Sequence, residues 1–281
     1  RLDSSIRFPW QMTLGSIQDE KLIYQMGEEV ARQCKLIGVN INFAPVVDVN
    51  FNPDNPIIGN RSFGEDPIRV GELGIQYMKG MQDNKVLACA KHFPGHGDTD
   101  SDSHKELPVI KHSKERLDSV ELLPFKMLIK NGLGSVMVAH LNIPSLDKTK
   151  NLAVSLSPEV VNGLLKTELE FKGLVITDAL NMKGVSKFYK PGVVDVKALL
   201  AGNDVLLFSE DVPKAIDQIK LAIENGEITQ EEVDERCKRI LKSKYWMGLS
   251  EFTTLNLEKV ENEIVTNNTH LINRKLIKNS I

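Results

Sequence analysis

The sequence lacks any apolar run long enough to cross a bilayer. Its longest apolar stretches fall far short of the roughly 18–20 residues that a membrane-spanning helix needs, so we expect no membrane span. The 35 Lys and Arg residues are scattered among 38 Asp and Glu residues, without a basic stripe or an acidic tail. Aromatic residues make up 6% of the chain, so no platform for stacking bases is evident. We therefore expect no nucleic-acid partner.

Glycine-rich phosphate-binding motifs are also missing, since neither G-x-G-x-x-G nor G-x-x-x-x-G-K-[ST] occurs. The cysteines, Cys34, Cys89 and Cys237, are an odd number without short-range pairing or metal-ligand spacing. We expect all three to be reduced residues of the protein interior. We expect no cofactor. The sequence starts at Arg1 rather than at Met and leaves the compartment open.

The chain has an ordinary globular composition, with 41% hydrophobic and 26% charged residues over 281 positions. Predicted strands and helices alternate along it. The predicted strands cover residues 41–45, 86–90, 135–139, 174–177 and 204–208, and the predicted helices cover residues 19–37, 67–82, 113–129, 157–172, 193–201, 212–225 and 230–246. Because these strands are continuously apolar rather than alternating, they predict a parallel sheet covered by helices.

Polar side chains follow four of the five predicted strands, namely Asp48, Lys91 with His92, His140, and Asp178. In a (β/α)8 barrel the active site lies at the carboxyl ends of the strands, so this arrangement indicates an α/β protein of the TIM-barrel type. Eight strand–helix units need about 250 residues plus insertions, whereas about five units are visible here.

The segment 86–108 is the most distinctive part of the sequence. Its apolar strand leads into about sixteen residues that hold three His, three Asp, two Gly and a Pro. Connections between a strand and a helix usually have roughly 2–6 residues, and longer ones tend to be functional or disordered. We interpret this loop as functional.

Lys91 and His92 come at the end of that strand. One interpretation gives them no special role. If both side chains turn into the mouth of the sheet, an unpaired ammonium group is costly there, and a polyhydroxylated ligand would satisfy both donors. Asp102 and His104 can form a carboxylate–imidazole pair in which the carboxylate fixes the tautomer, although a D-x-H triplet is more often part of a solvated loop.

A metal site is an alternative for the same loop, with candidate ligands His92, His96, His104, Asp98, Asp100 and Asp102. The i, i+4 spacing of His92 and His96 favours it only on a helix, and Pro94 and Gly95 break any helix there. We therefore do not expect a metal. Asp178 is a candidate nucleophile at a strand end, but its spacing alone favours the N-cap of the next helix.

Several segments together resemble the family 3 glycoside hydrolases, specifically their β-N-acetylglucosaminidase branch. These segments are INFAPVVDV with NRSFGEDP, KHFPGHGDTDSDSH, VMVAHL, LVITDALNMKGV and AGNDVLL, and they run in the family's order up to about residue 210. The D-S-H loop separates this branch from the β-glucosidases of the family. The resemblance implies a (β/α)8 barrel.

The resemblance also implies roles for individual residues. The Asp after the strand in the [ST]-D motif would be the nucleophile, which is Asp178 here. The D-S-H loop would supply the acid/base, Asp102 with His104. Sugar binding would fall to the Arg of N-R-S-F and to the K-H dipeptide, here Arg61, Lys91 and His92, and Arg1 matches a further sugar-binding Arg of the family.

The expected function is therefore a retaining exo-β-N-acetylglucosaminidase that acts on cell-wall muropeptides or chitin-type oligosaccharides. Rival functions are a family 3 glycosidase or glycoside phosphorylase of other specificity, and a catalytically inactive sugar-binding domain. We expect residues 1–248 to be a partial barrel and residues 249–281 a tail or linker towards a further domain. About three more strands are expected upstream of Arg1, since an open parallel sheet would expose two edges.

Overall fold

The sheet at the centre of the fold has four parallel strands in the order β1–β2–β3–β4. The structure is a computed structural model and describes residues 5–103, 106–251 and 254–281. The strands are β1 Ile41–Asn42, β2 Leu87–Phe93, β3 Ser135–Val138 and β4 Leu174–Thr177. Within the described residues this sheet stays open, as in a partial (β/α)8 barrel.

Helices cover the sheet and follow the strands along the chain. They are α1 Gln11–Leu14, α2 Lys21–Leu36, α3 Pro67–Asp83, α4 Lys114–Ser119, α5 Leu123–Lys130, a π-helical segment Glu159–Glu168, α6 Lys183–Ser186, α7 Val193–Ala201, α8 Val212–Glu224, α9 Gln230–Trp246, α10 Leu257–Glu263 and α11 Asn267–Asn279. Among the described residues, no helix combines the length and the apolar character that crossing a bilayer requires. The predicted alternation of strands and helices is confirmed.

The strands are buried on both faces, as their continuous apolar sequence predicts. Side chains such as Ala88, Val136 and Val175 belong to the large core between the sheet and the helices. Their neighbours along each strand point to the opposite face. There Leu87, Cys89, Met137, Leu174 and Ile176 form a second cluster together with Met247, which follows α9. Because both faces of the strands are apolar, the polar side chains lie where the strands end.

The predicted helix over residues 113–129 is wrong as a single element, because it consists of α4 and α5 with a break between them. Pro124 explains the break. It has no N–H to offer the carbonyl of Val120 four residues earlier, so it cannot continue a helix but is well suited to the first turn of a new one.

The predicted strand at residues 204–208 lies beside β4 but forms only the isolated bridge between Ile176 and Val205. Hydrogen bonds from two side chains replace some of the main-chain hydrogen bonds between the strands here. The Asp204 carboxylate accepts from the Val175 N–H at 2.9 Å, and the Thr177 hydroxyl accepts from the Leu207 N–H at 3.0 Å. The expected fifth strand is therefore an extended segment fixed partly by side-chain hydrogen bonds.

One further expectation differs from the structure. Cys89 is buried and Cys34 is partly buried, but Cys237 is exposed on α9, so its assignment to the interior is wrong. The stretch expected as a tail contains α10 and α11. Helix α11 packs on α2, where the Thr269 hydroxyl donates to Glu29 at 2.7 Å in a buried contact.

Gly97 sets how closely the long loop approaches the segment after β1. A Cβ atom at this position would lie 1.7 Å from the carbonyl oxygen of Val49. We predict that Gly97→Ala lowers the free energy of unfolding by about 1–3 kcal/mol, because the backbone must move apart. Urea unfolding of the variant and of the parent measures this difference in the free energy of unfolding. The control is Gly163→Ala, whose added Cβ would have its nearest neighbour at 3.8 Å; equal stability of the two variants would contradict the prediction.

Candidate active site

A pocket of about 230 Å³ opens at the carboxyl ends of the strands. Its wall has an apolar part, formed by Phe43, Ile57, Met137 and Leu207, and a polar part, formed by Arg61, Lys91, His92, His96, Ser103 and Asp178. Four residues predicted from the sequence to contact the sugar or the reacting atoms, Asp178, Arg61, Lys91 and His92, therefore line one pocket.

Strand β2 carries two of these side chains into the pocket. The sequence predicted that the strand ends at Ala90, but it continues to Phe93, so Lys91 and His92 lie within it. The reason is the neighbouring strand, because Phe93 pairs with Val138 of β3 after an irregularity in the register. Such an irregularity re-aims side chains, and here it lies between Ala90 and Phe93, where the two polar residues are.

Asp48 is fully buried behind the pocket and binds the same segment. Its Oδ2 atom accepts from Nδ1 of His92 at 2.6 Å. Its Oδ1 atom accepts from the main-chain N–H of His92 at 3.1 Å and from that of His96 at 2.7 Å. Burial opposes ionisation, but the ring and N–H donors of these two histidines lower the pKa of Asp48 below its usual value.

Arg61 approaches His92 from the pocket side. It ends the 3₁₀ turn Gly59–Arg61, and its Nη1 donates to the Ile57 carbonyl at 3.2 Å. Its Nη2 lies 3.3 Å from Nε2 of His92. The imidazole of His92 is thus held between a carboxylate on one side and a guanidinium on the other.

His96 fixes the first half of the long loop. Its Nδ1 lies 2.8 Å from the Thr99 hydroxyl and its Nε2 lies 3.0 Å from the Ser103 hydroxyl. Asn55 adds a donor to the His96 carbonyl at 2.8 Å. These bonds place Ser103 at the pocket, next to Asp102.

Asp178 directly follows β4 and is partly buried. Burial raises the pKa of its carboxyl, whereas the nearby His92 and His140 lower it. The Ala179 N–H, which donates to Asp178 at 2.8 Å, and the Lys91 ammonium act in the same direction, so the pKa is lowered and the group stays ionised. His140 also fixes this corner, since its Nε2 donates to the Ala179 carbonyl at 3.0 Å.

The alternative role of Asp178 as an N-cap does not apply, since the next helix begins only at Lys183 and has Met182 as its N-cap.

The environment of Lys91 disfavours the charged form of its side chain. Burial lowers the pKa of its ammonium group, and repulsion from Arg61 adds to the effect, while Asp178 and Asp48 oppose it. The pocket combines the ionised Asp178 carboxylate with the nitrogen donors of Lys91 and Arg61. Such an arrangement can bind a ligand rich in oxygen atoms and bring a nucleophile to one of its carbons.

Two predicted site residues, Arg1 and His104, lie outside the described residues. Asp102, the predicted partner of His104, is partly buried in the described part of the loop. The resemblance remains the basis for the roles of Arg1 and His104.

The structure brings together a different set of possible metal ligands from the set considered in the sequence analysis. The rings of His92 and His96 are bonded to protein groups, as described above. Asp98 instead meets His112, whose Nε2 lies 2.5 Å from its carboxylate, and Glu121 completes a group whose ligand atoms lie within 4.8 Å of one another. Both Glu121 oxygens accept from Arg116 at 2.8 Å, so the guanidinium already neutralises this buried carboxylate.

A larger hollow of about 390 Å³ lies away from the strand ends, between α2 and α11. Its polar wall includes Glu29 and Arg32, which pair with each other at 2.6 Å. It lies in the outer helical layer, and none of its lining residues belongs to a strand. We therefore place the candidate active site at the strand ends.

Comparison with known proteins decides the family. The profile described as "Glycosyl hydrolase family 3 N terminal domain" matches residues 1–243. The chain belongs to glycoside hydrolase family 3. Beta-hexosaminidase A of Pseudoalteromonas piscicida is 33% identical to this family 3 chain over 264 residues, covering 86% of the chain and 44% of that protein.

Solved structures agree with this assignment. A family 3 β-N-acetylglucosaminidase from Paenibacillus sp. superposes with a TM-score of 0.95 at 38% identity, covering 100% of this chain and 54% of that one. The β-glucoside phosphorylase BglX superposes with a TM-score of 0.92 at 25% identity, covering 98% and 51%. The family 3 chain thus spans about half the length of these relatives. The expected family and fold class are confirmed.

Sequence reasoning left two residues of the candidate site without a role. Asp48 was noted at a strand end, and His96 was considered only as a metal ligand. The available signal was their position, since Asp48 follows an apolar run and His96 lies in the distinctive loop. Their contact partners are distant in sequence or depend on how the loop turns, and the sequence alone does not reveal either.

His96 makes the stability of the protein depend on pH. Burial, together with the neighbouring His92, lowers the pKa of His96 to about 4, whereas an exposed imidazole has a pKa of about 6.5. Between these two values the unfolded chain binds the proton and the folded one does not. We therefore predict that about 3 kcal/mol of stability is lost as the pH falls from about 6.5 to about 4.

Urea midpoints across this pH range test the prediction. His96→Asn should flatten the dependence, and His270→Asn, which removes an exposed imidazole, should leave it unchanged. The same pH slope in His96→Asn and in the parent would contradict the assignment.

Proposed function

We propose that this chain carries the active site of a retaining exo-β-N-acetylglucosaminidase that removes terminal β-linked N-acetylglucosamine from cell-wall muropeptides or chitin-type oligosaccharides. The observation that carries the proposal is the single pocket shared by Asp178, Lys91, His92 and Arg61. The names of the relatives support the sugar, since they include a β-hexosaminidase and a β-N-acetylglucosaminidase.

The size and lining of the pocket support a single sugar ring. Its volume of about 230 Å³ lies below the roughly 300–1,000 Å³ of pockets for drug-sized ligands. Ring hydroxyls and an acetamido carbonyl offer acceptors to the Arg61 and Lys91 donors. Phe43, Met137 and Leu207 provide an apolar wall for the C–H face of the ring. One ring at the end of a chain is the substrate of an exo-acting enzyme.

Asp178 acts as the nucleophile in this proposal. Its ionised carboxylate forms a bond to the anomeric carbon while the bond from that carbon to the leaving oxygen breaks. The leaving oxygen takes a proton from the enzyme's acid and departs as an alcohol. Water then gives a proton to the same group, now a base, and displaces Asp178 from the sugar, which restores the carboxylate and retains the configuration.

His104, assisted by Asp102, is proposed as that acid and base, following the D-S-H motif of the family. An imidazole with a pKa near 6.5 can give and take a proton near neutrality. A carboxylate beside it holds the tautomer and stabilises the imidazolium. The described part of the loop supports this role, since His96 fixes Ser103 at the pocket and Ser103 is the direct neighbour of His104.

The nucleophile yields the first functional prediction. Asp178→Ala should lower turnover of a chromogenic N-acetylglucosaminide by at least about 10³-fold, because no other group forms the covalent intermediate. The melting temperature should stay close to that of the parent. A fluorinated slow substrate that labels another residue in peptide mapping would show that the assignment is wrong.

The sugar donors yield a second prediction. Arg61→Ala and Lys91→Ala should each weaken inhibition by N-acetylglucosamine by about 5- to 150-fold, the equivalent of losing one hydrogen bond to a buried polar group. Lys111→Ala is the control, because this lysine does not line the pocket. Unchanged inhibition in both pocket variants would remove these residues from the sugar site.

The acid yields a third prediction. His104→Ala should be severely slow on substrates with basic leaving groups and much less impaired on activated aryl glycosides, whose leaving group needs no proton. His112→Ala removes an imidazole that pairs with Asp98 instead and should keep the parent's dependence on the leaving group. An equal loss for good and poor leaving groups would assign His104 to sugar positioning.

A glycoside phosphorylase is the second candidate, favoured by the structural likeness to the β-glucoside phosphorylase BglX. In that reaction phosphate, rather than water, displaces the carboxylate. The cationic Arg61 and Lys91 side chains fit an anionic acceptor as well as a sugar. Turnover that rises with phosphate and yields a sugar 1-phosphate would establish the phosphorylase, and turnover independent of phosphate the hydrolase.

A further inference from the structure

We propose that Asp48 is a positioning residue that keeps His92 in the tautomer with its proton on Nδ1, so that Nε2 faces the pocket as a hydrogen-bond acceptor. The inference rests on the proposed function only in taking the pocket as the sugar site. It concerns the direction of a hydrogen bond in the unliganded protein, which can be measured without any substrate.

The Asp48 side of the imidazole requires a donor. A carboxylate can only accept, and its Oδ2 atom lies 2.6 Å from Nδ1 of His92. Asp48 itself cannot turn away, because its Oδ1 atom accepts the main-chain N–H groups of His92 and His96 at 3.1 Å and 2.7 Å. Both Asp48 and His92 are buried, so water does not offer Nδ1 another partner. The proton on Nδ1 is therefore fixed.

The pocket side requires an acceptor. Nη2 of Arg61 lies 3.3 Å from Nε2 of His92, and a guanidinium has donors but no acceptor. This contact is a hydrogen bond only when Nε2 carries its lone pair. Both neighbours of the ring thus demand the same tautomer.

The tautomer determines what His92 can do for a ligand. When a ligand is bound, the Nε2 lone pair accepts a hydrogen bond from a sugar hydroxyl in place of the one from Arg61, and the oxygen of that hydroxyl accepts in turn from Arg61 or Lys91. The opposite tautomer would place three donors around one hydroxyl and leave its proton without a partner. Asp48 acts on the sugar through His92 and does not line the pocket itself.

Asp48→Asn is the variant that tests this role. An asparagine has nearly the same shape, and its oxygen can keep the two main-chain N–H bonds. Its NH₂ group then faces Nδ1 of His92, which must become an acceptor, and the ring proton moves to Nε2. Carboxylate-to-amide changes beside an imidazole are known to preserve geometry while imposing the wrong tautomer.

The first measurement is the tautomer itself. Long-range ¹H–¹⁵N correlation spectra of the protein with ¹⁵N-labelled histidine, at a pH of about 8 where an ordinary imidazole is neutral, distinguish protonated from unprotonated ring nitrogens. The spectrum of His92→Gln identifies the His92 signals. We expect the Nδ1–H form in the parent and the Nε2–H form in Asp48→Asn. Asp204→Asn, which alters another buried carboxylate, should keep the parent's form.

The second measurement is kinetic. Asp48→Asn should lower kcat/KM on the N-acetylglucosaminide by about 10- to 100-fold, because the pocket loses its acceptor. In the His92→Gln background the same change should cost less than about threefold, because Asp48 then has no ring to orient. A full loss in that background would mean that Asp48 acts through the main chain alone, and the inference would be overturned.

The spectra and the kinetics separate this inference from the proposed function. An Nε2–H signal for His92 in the parent overturns the inference even if Asp48→Asn does not fold and even if the enzyme hydrolyses the substrate. The expected tautomers without any glycosidase turnover would support the role of Asp48 and reject the proposed function.

Discussion

The site depends on the burial of one charged group, the Asp48 carboxylate. A buried carboxylate is costly unless donors surround it, and here the chain supplies them from residues 92 and 96. The requirement joins the segment after β1 to the turn after β2. Because Lys91 and His92 lie at the end of β2 and His96 lies on the turn after it, satisfying Asp48 also fixes this part of the polar wall of the pocket.

The parallel sheet explains why these groups gather at one edge. Its strands are apolar on both faces, so Ala88 and Val136 pack towards the helices while Cys89 and Met137 pack on the other side. Polar side chains are excluded from the middle of such strands and concentrate where the strands end. All parallel strands end at the same edge, and Asp48, His92, His140 and Asp178 therefore come together although they are far apart in sequence.

Much of this could be predicted from the sequence because it depends on local patterns. Strand β4 begins at Leu174 and ends at Thr177 as its apolar run indicates, and Asp66 caps α3 before the proline at its first position. The other features of the fold and the site depend on partner residues that local sequence patterns do not reveal. Strand β2 reaches Phe93 only because Val138 pairs with it, and Asp48 finds His92 at a separation of 44 residues. The fifth extended segment lacks a ladder because Asp204 and Thr177 side chains occupy part of it.

The apolar wall of the pocket has a consequence for attempts to change which ligands the pocket accepts. Phe43, Met137 and Leu207 line the pocket. Met137 also belongs to the second apolar cluster of the sheet, and Phe43 and Leu207 pack against that cluster. Truncating a buried apolar side chain costs about 2–5 kcal/mol, a large share of the stability of an ordinary domain. Enlarging the pocket at Met137 therefore removes part of the folding core, whereas Arg61 and Ile57, on the loop above, can be varied at lower cost. Redesign or natural divergence of specificity in this protein should proceed through the loops before it reaches the strands.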